Sequence, residues 1–163
     1  MLYLACNLLN QDKSNDIRKR LLLSSDWIDG KSTAKGSAAL AKKNLQLNNC
    51  DEKKKISTEI IDMINNDFLI NTFTFQRNIF NLLFTRTGVG MYYGPHVDIP
   101  HIPDGRRDIS FTIFLNNPNE YTGGELILYI PPETKKIKLN QGDIILYPTK
   151  YLHEVKEVTQ GER

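Results

Sequence analysis

The chain has 163 residues, 40% of them hydrophobic and 25% charged, a composition that fits one soluble globular domain with a core of ordinary size. Twenty-one basic residues against 19 acidic ones leave a net charge of +2, which argues against a nucleic-acid or membrane surface. No apolar run approaches the roughly 20 residues of a membrane helix. The two cysteines, Cys6 and Cys50, form neither a disulfide framework nor a metal spacing, so a cytoplasmic setting is expected.

Residues 1–10 read as a first strand and turn, because the apolar start lacks the basic leader of a signal peptide. A helix follows through Ile17–Leu23, with Ser14 or Asn15 as its N-cap. Asp26–Gly30 is expected to turn the chain, with Trp27 as a core anchor. Residues 31–49 read as a polar loop with some strand or helical turn, in which Lys42, Lys43 and Asn44 are read as a solvated face, the alternative being that they reach a substrate. Ile56, Ile60, Ile64 and Phe68 recur every four residues and mark a packing helix over 52–66. From Phe73 the pattern becomes that of strands, first at Phe73–Phe75 and Ile79–Phe84. Thr87–Gly90 is a turn into the strand of Met91 and Tyr93, and 101–107 is a loop that exposes His101. Strands are expected at Ile109–Leu115, Glu125–Ile130, Lys136–Leu139, Ile144–Tyr147 and His153–Val158. Helices followed by strands predict one α+β domain over 1–163, with helical support to about residue 70 and a jelly-roll barrel from about 71.

The chemistry concentrates in the barrel. His96 and Asp98 stand two apart, and in a strand such residues face the same side. His153 follows His96 by 57 residues, far enough for several strands to run out and return. Two His and one carboxylate on one face, with open positions opposite, suit a non-haem Fe(II) oxygenase, although zinc can use the same ligands. Arg163 comes ten residues after His153. Ten residues of strand would carry it roughly 33 Å away, so a turn at Thr159–Gly161 is expected to return the guanidinium to clamp a remote carboxylate. Period-two parity puts Tyr93 on the opposite side from His96 unless Gly94-Pro95 kinks the strand. Tyr93 and Tyr147 are kept as pocket residues, Arg106 and Arg107 either steer an anionic substrate or, for Arg107, pair with Asp108 or Glu125, and Gly123-Gly124 is read as a tight turn.

Tyr93-Gly94-Pro95-His96-Val97-Asp98, Arg107-Asp108-Ile109-Ser110-Phe111-Thr112, Gly123-Gly124-Glu125-Leu126, Gly142-Asp143, Leu146-Tyr147-Pro148 and Leu152-His153 resemble the bacterial PKHD-type hydroxylases. Trp27-Ile28-Asp29-Gly30 and the Lys43-Asn44 region extend the likeness towards the N-terminus. These hydroxylases are Fe(II)/2-oxoglutarate-dependent oxygenases of the prolyl-4-hydroxylase superfamily. The resemblance implies a double-stranded β-helix with supporting helices, iron held by His96, Asp98 and His153, and the distal carboxylate of 2-oxoglutarate on Arg163. It also implies O2 as cosubstrate, ascorbate as a reductant, and hydroxylation of peptidyl proline or a small molecule with release of succinate and CO2.

Two departures from the family pattern stand out. Thr87 occupies a position where relatives tend to carry Tyr, which shortens a pocket hydroxyl, and the sequence ends at Arg163 where relatives continue. The expectation is weaker cosubstrate binding unless packing around the iron site orders that end, and an unfinished sheet edge there would invite a homodimer. Two alternatives accompany the oxygenase reading. One is a metal-binding barrel that no longer catalyses and serves as a binding or regulatory module. The other is a zinc hydrolase, for which Glu125 is the one candidate base.

Overall fold

The computed structural model describes residues 2–33, 36–103 and 105–163, so residues 34 and 35 of the expected polar loop and residue 104 of the 101–107 loop lie outside the described residues. The chain opens with β1 (Leu4–Asn7) and α1 (Gln11–Leu23). The helix begins a turn earlier than Ser14, because the Asn10 side chain accepts the Lys13 N–H at 2.9 Å and caps it there. Asp26–Gly30 is not a bare turn. It contains β2 (Trp27–Asp29), followed by a 3-10 turn over Gly30–Thr33, a short α2 (Ser37–Leu40), β3 (Lys42–Lys43) and β4 (Leu45–Leu47).

The expected packing helix is α3 (Asp51–Asn66), and it buries Ile56, Ile60 and Ile64 as its four-residue spacing requires. Two strand expectations after it are corrected. Residues 68–74 form a second helical segment, α4 (Phe68–Thr74), because the Asp67 side chain accepts the Ile70 N–H at 2.8 Å and restarts the helix after Asn66. Ile79–Phe84 makes no ladder. Ile79, Leu82 and Phe84 instead insert side chains into the helical core as an extended wrap.

The barrel follows: β5 (Thr85–Arg86), β6 (Tyr92–His96), β7 (His101–Ile102), β8 (Gly105–Arg106) and β9 (Ile109–Ile113). Then come β10 (Tyr121–Gly123), β11 (Leu126–Ile130), β12 (Glu133–Ile137), β13 (Asp143–Pro148), β14 (Leu152–Val155) and β15 (Val158–Gly161). The larger sheet has the order β12-β11-β14-β6-β3, and the sheet facing it has the order β1-β13-β9. In β13 the alternation sorts side chains between two cores. Ile144 and Leu146 pack with Leu4 and the helices, while Ile145 and Tyr147 pack with Phe114, Leu126 and Leu128 between the sheets. The result is helices, a small sheet and a large sheet in three layers, with the predicted ligands on the inner face of the large one.

The helical layer is held to itself by charge. Arg20 contacts Glu59 at 2.8 Å and Glu52 at 2.5 Å, and Lys13 reaches Glu59 at 2.6 Å. Hydrogen bonds from Arg20 and then Lys13 hold the Glu59 carboxyl down at about 2, against an ordinary value of 4.5. A depressed folded-state pKa means that this contribution is present above pH 4.5 and is lost as pH falls towards 2. Thermal melts across that range are expected to fall more steeply for the unsubstituted chain than for Glu59→Gln.

Candidate metal centre

His96 closes β6, Asp98 lies two residues further on, and His153 sits in β14 directly across the ladder from His96. His96 Nε2 is 3.7 Å from Asp98 Oδ1 and His153 Nε2 is 3.8 Å from Asp98 Oδ2, with donor atoms of all three within 4.8 Å of one another. Metal–nitrogen and metal–oxygen bonds are about 2.1 Å long, so a single ion between them would be within reach of all three side chains.

The imidazoles are set for that role by their backbone partners. His96 Nδ1 lies 2.8 Å from the Gly94 carbonyl and His153 Nδ1 lies 2.9 Å from the Tyr151 carbonyl. A carbonyl can only accept, so Nδ1 carries the proton and the Nε2 lone pair faces the centre. Burial, reinforced by the neighbouring His153, holds His96 below the ordinary histidine range and keeps it neutral, as a ligand must be. The two rings lie 4.2 Å apart between centroids and tilt by 53°.

Asp98 is aimed by a residue that sequence reasoning passed over. Ser110 Oγ on β9 donates to Asp98 Oδ2 at 2.7 Å and meets Thr149 Oγ1 at 3.2 Å. This leaves Oδ1 towards His96 and fixes the carboxylate plane. Ser110→Ala is expected to weaken Fe(II) binding by about 10–100-fold, measured by competition with a chelator, with little change in melting temperature.

The two candidate tyrosines flank the histidines. Tyr93 stacks on His96, with centroids 3.6 Å apart and planes 14° from parallel, against the parity expectation. The reason is the kink at Gly94-Pro95: β14 advances two residues from His153 to Val155 while β6 spans three from His96 to Tyr93, and the extra residue flips Tyr93 onto the metal side. Burial, with Asp98 adding to it, pushes the Tyr93 hydroxyl up to about 12. Tyr147, buried on the facing sheet, meets His153 edge-on at 5.3 Å.

Arg163 arrives from the opposite side. Thr159–Gly161 is not the turn that was expected; it lies in β15, which pairs with β10, and the chain turns at Lys156-Glu157 instead. The Arg163 guanidinium lies 5.3 Å from the Phe114 ring, and its buried Nε has no hydrogen-bond partner. The Tyr121 hydroxyl, which sequence reasoning did not single out, is buried beside the guanidinium. Burial pulls the Arg163 pKa down, an effect partly countered by Tyr121 and Tyr147. Gly124 makes room for the arrangement. At its φ of 65°, a Cβ would sit 3.1 Å from the Tyr121 ring and 3.2 Å from Arg163 Cδ.

The segment holding Arg163 is ordered. Arg163 donates its backbone N–H to the Thr87 carbonyl at 2.9 Å and accepts the Thr87 N–H at 2.8 Å. Thr87–Gly90 therefore acts as more than a turn, and the buried Thr87 serves this pairing through its backbone. Of the remaining expectations, His101 is exposed, and Asp108 pairs with Arg106 at 2.6 Å rather than with Arg107. Glu125 is engaged by Lys136 at 3.1 Å and is not among the residues whose donor atoms converge at the metal centre.

With this geometry in place, the comparisons decide the family. The 2OG-Fe(II) oxygenase superfamily matches residues 82–163. A PKHD-type hydroxylase of Prochlorococcus marinus (strain MIT 9301) is 45% identical over 100% of this chain and 75% of its own length. This chain belongs to the 2OG-Fe(II) oxygenase superfamily. A second PKHD-type hydroxylase, from strain MIT 9211, is 44% identical over 96% of this chain and 72% of its own length. Among solved structures, a Pseudomonas putida prolyl-4-hydroxylase superposes with a TM-score of 0.70 at 17% identity, covering 99% of this chain and 88% of that one. A Trichoplax adhaerens prolyl hydroxylase in complex with a hypoxia inducible factor peptide fragment gives 0.66 at 19% identity, over 98% and 79%. At these identities the structures establish the fold, the jelly-roll of prolyl hydroxylases. The oxygenase is thus a 2-oxoglutarate-dependent dioxygenase that uses Fe(II), and its His-Asp-His set fits that metal. No helix among the described residues is long and apolar enough to cross a membrane.

Proposed function

We propose that this oxygenase, acting as a single domain over residues 1–163, hydroxylates an unactivated C–H bond in a peptidyl proline or a small molecule. His96, Asp98 and His153 would hold Fe(II), and Arg163 would hold the distal carboxylate of 2-oxoglutarate. The observation that carries the reading is the convergence of two Nε2 lone pairs and one oriented carboxylate on a single face.

When bound, Fe(II) with 2-oxoglutarate and O2 supplies the oxidising power that turns C–H into C–OH, with succinate and CO2 as coproducts. The chain's own residues do the rest. The Gly94 and Tyr151 carbonyls keep the protons of His96 and His153 on Nδ1, and Ser110 holds the Asp98 carboxylate in place, so that the three side chains would hold the metal from one face. Tyr93 and Tyr147 wall the imidazoles on two sides and exclude water from them. Arg163, with no carboxylate of the chain within ion-pair distance among the described residues, offers a buried guanidinium to one supplied from outside. The Tyr121 hydroxyl stands ready to donate to the same group.

The prolyl hydroxylase neighbours support a prolyl substrate through the shared fold, and the PKHD-type relatives support hydroxylation in general. The test is Fe(II)-dependent release of succinate from 2-oxoglutarate, measured with and without prolyl peptides. Succinate formation that a chelator abolishes, and that a prolyl peptide stimulates, supports the reading. Stimulation by no prolyl peptide, alongside stimulation by a small molecule, leaves the hydroxylase and removes the prolyl substrate.

A further inference from the structure

Lys42 was expected in a solvated charged stretch, yet it is 3% exposed. Its backbone pairs with Tyr93 across β3 and β6, which puts both side chains on the same face of the sheet. Tyr93 is the residue stacked on His96, and the Lys42 ammonium lies 4.9 Å from the centroid of its ring. The only hydrogen bond of the ammonium among the described residues goes to Thr33 Oγ1 at 3.0 Å, and that hydroxyl is already committed to the Gly30 carbonyl and to Gln46.

An ammonium has three donors, and among the described residues no carboxylate lies within ion-pair distance of this one. Burying an unpaired charge is costly, and proteins rarely retain one without a partner. Asp98 and Asp29 act on it only from a distance, and burial lowers the lysine to about 8, so it is still mostly charged at neutral pH. Lys42 is also among the residues that line a groove of about 320 Å³ at the β3 edge. Its charged lining is Lys31, Lys42 and Lys43 against the single acid Asp29, with Tyr92 and Leu40 beside them.

We propose that Lys42 binds a carboxylate of the substrate, which is held beside Tyr93 so that its reacting carbon reaches the metal face. The inference rests on the iron site proposed above. The oxygenase then carries two cationic anchors on different elements, Arg163 for the cosubstrate and Lys42 for the substrate. The substrate class narrows to molecules that place a carboxylate near the hydroxylated carbon. A free amino acid would supply its α-carboxylate, and a peptide would supply an acidic side chain or its C-terminus.

The full chain, loaded anaerobically with Fe(II) and 2-oxoglutarate, is titrated while the visible charge-transfer band is followed. Probes are the common free amino acids against their carboxamides, and Asp- or Glu-containing peptides against the matched Asn or Gln peptides. The expected result is that acids of one series perturb the band at least about tenfold more tightly than their amides. Lys42→Met erases this preference, Lys42→Arg restores most of it, and the affinity for 2-oxoglutarate is unchanged in both. Formation of the band reports that each variant is folded, and a merely structural lysine would not change selectivity between acid and amide. Which series responds separates the free amino acid from the acidic peptide. Equal binding of acids and amides, a preference that survives in Lys42→Met, or a band that no probe perturbs overturns the proposal. A Lys42→Met loss confined to 2-oxoglutarate also overturns it, by assigning the lysine to the cosubstrate. Failure of the unsubstituted chain to form the band overturns the iron site itself.

Discussion

Replacing Arg163 with methionine is expected to raise the KM for 2-oxoglutarate by about 30-fold or more, the equivalent of ~2–5 kcal/mol for one partner of a buried charge pair. The guanidinium lies against Phe114 in a setting where burial already disfavours its charge, and its Nε has no partner within the chain. An external anion would supply the charged partner that the described residues do not give it. Methionine keeps the length and the apolar packing, so the folded chain is expected to melt no lower than the unsubstituted one. Fe(II) affinity is expected to stay within about twofold, since Arg163 is not among the ligands. Steady-state kinetics in 2-oxoglutarate, run beside a metal titration, separates the two effects. An unchanged KM would remove Arg163 from the cosubstrate site. Gly124→Ala is expected to act in the same direction, by pressing on Arg163 Cδ and the Tyr121 ring.

The second large effect is at the ligands. His153→Ala removes one of three donors and leaves two that face each other across 3.7 Å. Loss of outer-shell partners alone costs about 10–100-fold in metal affinity, so loss of the ligand is expected to exceed about 100-fold and to take 2-oxoglutarate turnover below detection. His153 lies across the ladder from the fully buried Leu128, so the variant also opens space in the core and a drop in melting temperature is expected. His153→Gln keeps the volume and a polar tip. It separates the two causes: stability is expected to recover while turnover does not.

Much of this site was legible from the sequence because its signals are local. His96 and Asp98 are two residues apart, and Gly90 and Gly94-Pro95 punctuate the strand that carries His96. β13 could be read as buried on both faces because Ile144, Ile145, Leu146 and Tyr147 are all apolar, and each face does meet a different core. What could not be read depends on long-range pairing. The side of β6 that Tyr93 occupies is set by a bulge whose only local trace is Gly94-Pro95, and the size of the shift is fixed by the partner strand. Lys42 is an ordinary lysine in sequence, and its burial arises from pairing with a strand 51 residues away, at Tyr93. Ser110 belongs to a strand that was identified and Tyr121 to one, β10, that was read only as the approach to a turn, and their hydroxyls acquire meaning only when Asp98 and Arg163 are brought beside them.

The helical region shows the opposite failure. Ile56, Ile60 and Ile64 announce α3, whereas α4 leaves Phe68 84% exposed and has no amphipathic period to follow. Its signal was the cap, Asp67, three residues before Ile70. The apolar run of Ile79–Phe84 was read as strand because β-formers dominate it, yet insertion of side chains into a helical core requires the same residues without a ladder. Composition alone does not separate the two.

The central claim, that His96, Asp98 and His153 form an Fe(II) site open to 2-oxoglutarate, is tested most directly by anaerobic titration of the Fe(II)-loaded chain with 2-oxoglutarate, observed in the visible region. The account predicts a charge-transfer band that saturates at one equivalent per chain and disappears in His96→Ala. Iron that stays bound while no band develops at any 2-oxoglutarate concentration would contradict it, and would leave a metal-binding barrel without a working cosubstrate pocket.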